Sequence, residues 1–267
     1  MTRAVRLGAV SYLNARPLVY SLAEDPGSFE LRCDVPAVCA DLLAREDIDL
    51  GLVPSITYAS GSSIVPGVSI ASDGPVDSVA IYTKVPAREI RSFALDTSSR
   101  TSVALTRILC KRRFDIAPSF VPHAPDLTAM LDACDAALLI GDPALFAGPL
   151  PSSVTKIDLG QAWHEMTGLP FVWAFWVGKA GNAAIQPRVV QRLQETRRSG
   201  VAHSDEIADE FGGADATRRD IARRYLRENI QYDLTPRMLQ GLQSYYREAH
   251  QLGLIGEVPT LNFFAAQ

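Results

Sequence analysis

Apolar positions in the first half of the chain fall in short runs separated by helix-length segments. Val5 to Val10, Leu31 to Val35, Asp49 to Val53 and Val79 to Thr83 each read as a strand. Between them, Asn14 to about Leu22 reads as a helix that tolerates Pro17 in its first turn. Pro36 opens another, with Val38, Cys39, Leu42 and Leu43 at helical spacing. A second block repeats the theme. Phe93 to Leu95 and Ala117 to Val121 read as strands, Ser102 to Cys110 and Asp126 to Leu131 as helices. Ala136 to Ile140 is apolar at every position, as a central parallel strand would be, and Phe171 to Val177 is a further buried strand. The alternation predicts an α/β fold with a largely parallel sheet in each block.

From Pro187 onward the pattern becomes almost wholly helical, with Pro187 to Gly200, Asp215 to Glu228 and Thr235 to Leu252 as the expected helices. Met238, Leu242, Tyr245, Tyr246 and Ala249 form one apolar stripe, read as core. Two α/β units with strands near 79–84 and 171–178 as crossings predict a two-lobed, hinge-bending binder with its site between the lobes. The expected division is residues 1–84 with 178–267, helical tail included, against residues 85–177.

Composition narrows the function classes. The 267 residues are 47% hydrophobic and 21% charged, enough for a sizeable core. Twenty-six Lys and Arg against 30 Asp and Glu give a net charge of -4, which offers no electrostatic reason to expect nucleic acid. The longest apolar run, Leu169 to Gly178, is about half a membrane span, and the N-terminal stretch lacks the pattern of an export signal. A cytoplasmic location is expected, with Cys33, Cys39, Cys110 and Cys134 as buried thiols. The four histidines are scattered, with neither ligand spacing nor an adjacent nucleophile motif, so no metal or organic cofactor is expected.

In open α/β sheets ligands lie beyond the carboxyl ends of strands, so the strand-to-loop junctions carry the candidate chemistry. Ser11 and Asn14 follow the first strand; Asn14 either caps a helix or contacts a ligand. Ser55 allows the same two readings. Ser78 stands at the lip of a strand after the Gly74-Pro75 turn. Thr97, Ser98, Ser99, Arg100 and Thr101 place hydroxyls around one Arg at a helix start, either an anion cradle without the glycines of a phosphate loop or a solvated helix cap with a surface Arg. Gly141 permits close backbone approach, and Asp142 either adds a carboxylate at the cleft or caps a helix. Residue chemistry alone reaches a two-lobed binder of a small carboxylate.

The ordered set Val10 to Leu18, Gly51 to Ser55, Ser72 to Ser78, Ser98 to Ser102, Ile140 to Leu145 and Thr167 to Val172 resembles the chorismate dehydratases of the futalosine route to menaquinone. The resemblance covers most of the chain. It implies a type 2 periplasmic-binding-protein-like fold and removal of water from chorismate to give 3-[(1-carboxyvinyl)oxy]benzoate. Carried over by motif, Asn14 hydrogen-bonds the reacting part of the substrate, Ser78 orients the C4 hydroxyl or an adjacent carboxylate, and Ser99, Arg100 and Thr101 anchor a carboxylate. No His or Glu stands out as general base. Either Asp142 or the substrate's own enolpyruvyl carboxylate fills that role. The rivals are the paralogous 1,4-dihydroxy-6-naphthoate synthase and a non-catalytic carboxylate-binding protein.

Overall fold

The computed structural model describes residues 3–22 and 27–265. Its scaffold is two five-stranded sheets. The first contains β1 (Val5–Val10), β2 (Phe29–Asp34), β3 (Leu50–Pro54), β4 (Ser62–Ser72) and β10 (Phe171–Lys179), in the order β2-β1-β3-β10-β4. The second contains β5 (Val79–Thr83), β6 (Ser92–Asp96), β7 (Ser119–His123), β8 (Ala136–Ile140) and β9 (Thr155–Asp158), in the order β7-β6-β8-β5-β9.

Neither sheet is as parallel as the alternation suggests. β1 pairs in parallel with β2 and β3, and β6 with β7 and β8. However, β10 runs antiparallel to β3 and β4, and β5 antiparallel to β8 and β9. Both reversed strands arrive from the opposite sheet, so each enters at the cleft edge and runs away from it. Val79 consequently pairs with Ile140, and Ala174 with Pro54, at the edge where the parallel strands end. By hydrogen bonding β5 belongs to the second sheet and β10 to the first. The chain therefore changes sheet at residues 73–78 and 168–170, just before each crossing strand.

β4 and β9 were not legible as strands. β4 contains Pro66 and Gly67, which a sheet tolerates here because β4 is an edge strand. The expected helix after β1 is a short 3-10 helix, Leu13–Leu18, with Pro17 inside it. Cys39, Cys110 and Cys134 are buried, but Cys33 is exposed, because β2 is an edge strand with most of its residues facing solvent.

Burial explains the all-apolar β8. Ala136, Leu138 and Ile140 enter the large core shared by both sheets, while Ala137 and Leu139 enter a smaller core on the other face. The helical region continues with α6 (Pro187–Ala202), α7 (Ser204–Gly212), α8 (Ala216–Arg224), a π-helical turn at Tyr225–Asn229 and α9 (Pro236–Gln251). The stripe Met238, Leu242, Tyr245, Tyr246 and Ala249 is buried as expected. α9 packs on more than the first sheet. Tyr245 also lies against Trp163 of α5 (Leu159–Thr167), on the side of the second sheet. Gly241 permits this seating, since a Cβ there would stand 2.1 Å from the Pro170 carbonyl oxygen at the second crossing.

Candidate functional site

The ends of β1, β3, β6 and β8 and the starts of β5 and β10 face one another across the cleft. They enclose a cavity lined by Tyr12, Asn14, Ser78, Ser99, Ser102 and Trp173 among its polar side chains. The cavity volume is only about 40 Å³, room for a few waters. The lobes are closed on one another in this conformation.

Many of the hydroxyls expected to form an anion cradle hold that closure. Tyr12 donates to Ser98 Oγ at 3.2 Å, and Ser98 in turn donates to Asp96 at 2.5 Å. The Ser98 carbonyl accepts from Ala37 N at 2.9 Å. Thr101 Oγ1 accepts from Ile56 N at 3.1 Å and lies 3.4 Å from Ser55 Oγ, which donates to the Val172 carbonyl at 2.8 Å. Tyr246 donates to the Ser55 carbonyl and Tyr245 to that of Thr101, so α9 ties both segments down. Ser99 caps α2 (Arg100–Leu109) by accepting from Ser102 N, and both serines line the cavity.

Arg100 is not brought to the cavity. Its guanidinium bonds Asp41 of α1 (Pro36–Ala44) at 2.7 Å, with both side chains nearly half-exposed. The first residue of α2 projects from the helix side while the helix end faces the cleft. Thr97 and Ser11 are exposed and do not line the cavity. Gly141 lines it, with φ at 68°, and the approaching group is the Tyr12 ring. A Cβ at 141 would stand 2.6 Å from that ring.

Asp142 begins α4 (Asp142–Leu145), yet its side chain crosses the cleft to accept from Leu13 N at 3.0 Å. Burial raises its carboxyl to about 6 despite that hydrogen bond and Arg16 and Arg218 nearby. Asp158 accepts from Val76 N and Asp77 N, fixing the first crossing in the shape that presents Ser78.

Asn14 and Ser78 meet through a residue that sequence reasoning did not single out. Ser78 Oγ lies 2.7 Å from the Tyr225 hydroxyl, and Asn14 Nδ2 donates to the same hydroxyl at 3.1 Å. Asn14 Oδ1 is buried and has no hydrogen-bond partner among the described residues. Its backbone carbonyl accepts from the Tyr232 hydroxyl at 3.0 Å. The first sheet, the second sheet and the helical tail each supply one member of this trio.

A family model described as menaquinone biosynthesis matches residues 5–251. The chain belongs to that family. Its relatives include a chorismate dehydratase of Thermus thermophilus, 32% identical over 269 residues, covering 93% of this chain and 95% of that protein. A chorismate dehydratase of Campylobacter jejuni is 26% identical over 196 residues, covering 71% and 74%. Among solved structures, a protein from Archaeoglobus fulgidus superposes with a TM-score of 0.74 at 17% identity, covering 94% of this chain and 98% of that one. The periplasmic aliphatic sulphonate binding protein of Escherichia coli gives 0.62 at 15%, covering 100% and 95%. Such low identities speak to fold alone: two-lobed and periplasmic-binding-protein-like. Within this family fold, the trio at the cavity stands where the strand ends of both sheets converge.

No helix among the described residues is long and apolar enough to cross a membrane. Among those residues, no group of three or more His, Cys, Asp or Glu is placed to hold a metal ion. Sequence reasoning missed Tyr12, Ser102 and Trp173 as lining groups and Tyr225 behind them. Tyr12 and Ser102 lay within motifs already noted, whereas Tyr225, in a run of arginines, carries no chemical signature of its own.

Proposed function

We propose that this protein is a chorismate dehydratase, converting chorismate to 3-[(1-carboxyvinyl)oxy]benzoate and water in menaquinone biosynthesis by the futalosine route. The observation that carries the reading is the cavity trio. Asn14 and Ser78, the two residues that the motifs single out, stand together at the cleft, and Asn14 Oδ1 has no partner among the described residues. Both named relatives are chorismate dehydratases.

The reaction breaks the C3–H bond and the C4–O bond, and the ring becomes aromatic. The C3 proton and the departing hydroxide leave together as water. Among the described residues, no Asp, Glu, His or Lys side chain lines the cavity. Asp142, which follows the lining residue Gly141, is engaged with Leu13 N. The enolpyruvyl carboxylate of the substrate takes the C3 proton and passes it to the hydroxide leaving C4, and the protein contributes orientation and exclusion of water. Asn14 and Ser78 hold the reacting edge, and Ser99 and Ser102 with the α2 N-terminus receive a carboxylate. The cavity in its closed form is too small for a six-membered ring with two carboxylates, so the lobes part to admit it.

The test is to mix the purified protein with chorismate and follow products by chromatography and mass. Loss of one water to an aromatic product supports the reading. Unchanged chorismate with a properly folded protein overturns it, and the futalosine-derived substrate of the paralogous synthase is then the next to try.

A further inference from the structure

We propose that Tyr225 is a positioning residue that sets the hydrogen-bond polarity of the site, making Asn14 an acceptor and Ser78 a donor toward the substrate's ring hydroxyl. The inference rests on the chorismate reading and deepens it.

The polarity follows from counting donors and acceptors. The Asn14 amide nitrogen has no acceptor capacity, so across its 3.1 Å contact it donates to the phenol oxygen. The Tyr225 hydroxyl is then left with one proton to place, in a side chain only 1% exposed. Ser78 Oγ, at 2.7 Å, is the acceptor within reach. Were Ser78 to donate instead, the phenol proton would be buried without a partner. Tyr225 therefore donates to Ser78, and the Ser78 proton is free to point into the cavity that Ser78 lines.

Asn14 completes the arrangement. With its nitrogen held by Tyr225, its oxygen stays unpaired and buried at the same cavity. A donor and an acceptor side by side match a hydroxyl, which can accept from one and donate to the other. Ionised chorismate has one hydroxyl, the C4 group lost in the reaction, and no other donor. Accepting from Ser78 stabilises the negative charge that develops on this oxygen as the C4–O bond lengthens.

The tail holds Tyr225 firmly enough for this role. It opens the π-helical turn Tyr225–Asn229, a geometry often found at functional sites. Asn229 at the end of that turn donates to the Pro75 carbonyl at 3.2 Å, and Gln231 exchanges backbone hydrogen bonds with Ala71. Burial pushes the phenol well above its ordinary range, so it stays protonated throughout the useful pH range.

The test compares wild type, Tyr225→Phe, Ser78→Ala and the double variant, reading kcat and KM on chorismate alongside thermal melting. Tyr225→Phe is expected to lower kcat about 10-fold with KM within about 3-fold. In the Ser78→Ala background the same substitution is expected to change kcat by less than about 2-fold, because its target is gone. A Tyr225→Phe protein with wild-type kcat overturns the proposal, as does a full 10-fold loss added to that of Ser78→Ala. If Tyr225→Phe melts more than about 5 °C below wild type, 3-fluorotyrosine at position 225 decides instead, since it keeps the hydroxyl and strengthens it as a donor. It should alter kcat at least about 2-fold in the wild-type background and not in Ser78→Ala; equal values in both backgrounds overturn the proposal. A wild-type protein that leaves chorismate intact removes the functional reading and this inference together, whereas active wild type with indifferent variants removes only the inference.

Discussion

Two polar clusters border the same cleft and differ in what they leave unpaired. The segment from Asp96 to Ser102 is rich in hydroxyls, yet Ser98 and Thr101 spend theirs on Tyr12, Asp96 and Ile56, and Arg100 is paired with Asp41. The cluster of Asn14, Ser78 and Tyr225 is sparser, but it leaves the Asn14 oxygen without a partner at the cavity. Apart from Ser99 and Ser102, which line the cavity, the first cluster is spent on closing the lobes, while the second faces the space between them. Density of polar residues is thus a poor guide to a site; unsatisfied capacity is a better one.

The largest expected effect tests the sparse cluster. Asn14→Ala and Ser78→Ala should each lower kcat on chorismate about 100-fold or more while melting close to wild type. Losses under about 5-fold in both would make this cluster structural after all, and erase the distinction.

The carboxylate that bridges the lobes comes next. Asp142 titrates at about 6 when folded against an ordinary value of 3.8. A raised value means the folded state binds the proton more tightly. The stability it supports is present below the unfolded value and lost as pH rises through about 6. Asp142→Asn keeps an acceptor for Leu13 N and removes the titration. Its stability relative to wild type should improve from pH 4 to pH 7 by an amount on the order of 2–3 kcal/mol, read from denaturant melts. A constant difference across that range would contradict the burial argument. Turnover that survives the substitution excludes Asp142 as the base.

A smaller effect is expected where the rich cluster serves closure. Thr101→Val leaves Ile56 N without its acceptor and should cost about 1–3 kcal/mol of stability. Its effect on activity should be carried mainly by KM, since lobe closure follows binding; a kcat loss as large as that of Ser78→Ala would place Thr101 among the reacting groups.

Arg100→Ala should do least. An exposed pair with Asp41 contributes about 0–1 kcal/mol, and kcat should stay within about 3-fold of wild type. A KM rise above about 10-fold would show that Arg100 turns inward when substrate enters, and would return it to the anchoring role its position in the motif suggests.

Much of this architecture was legible from apolar spacing. β1, β3, β5, β6, β8 and β10 stand within a few residues of where the runs place them, because buried strands need apolar residues on both faces. β4 was not, since Pro66 and Gly67 interrupt its pattern and only its edge position makes them tolerable. Strand direction was not legible either. An apolar run looks the same in both senses, and the reversal of β5 and β10 follows from which sheet the chain has just left.

The site divides in the same way. Asn14, Ser78, Ser99 and Gly141 were named because polar or small residues at strand ends face a cleft in any such fold, and all four line the cavity. Ser55 and Thr101 stood in equally suitable motifs and are held by each other and by the tyrosines of α9. Tyr225 lies 147 residues from Ser78, and no local spacing connects them. By itself the sequence determined the family, the two α/β units and the strand ends that border the cavity, because these depend on periodicity and short-range order. Only the tertiary structure decided which of those polar groups are already paired. Pairing depends on donors and acceptors brought together from distant segments, and a hydroxyl carries no mark in the sequence of whether a partner awaits it.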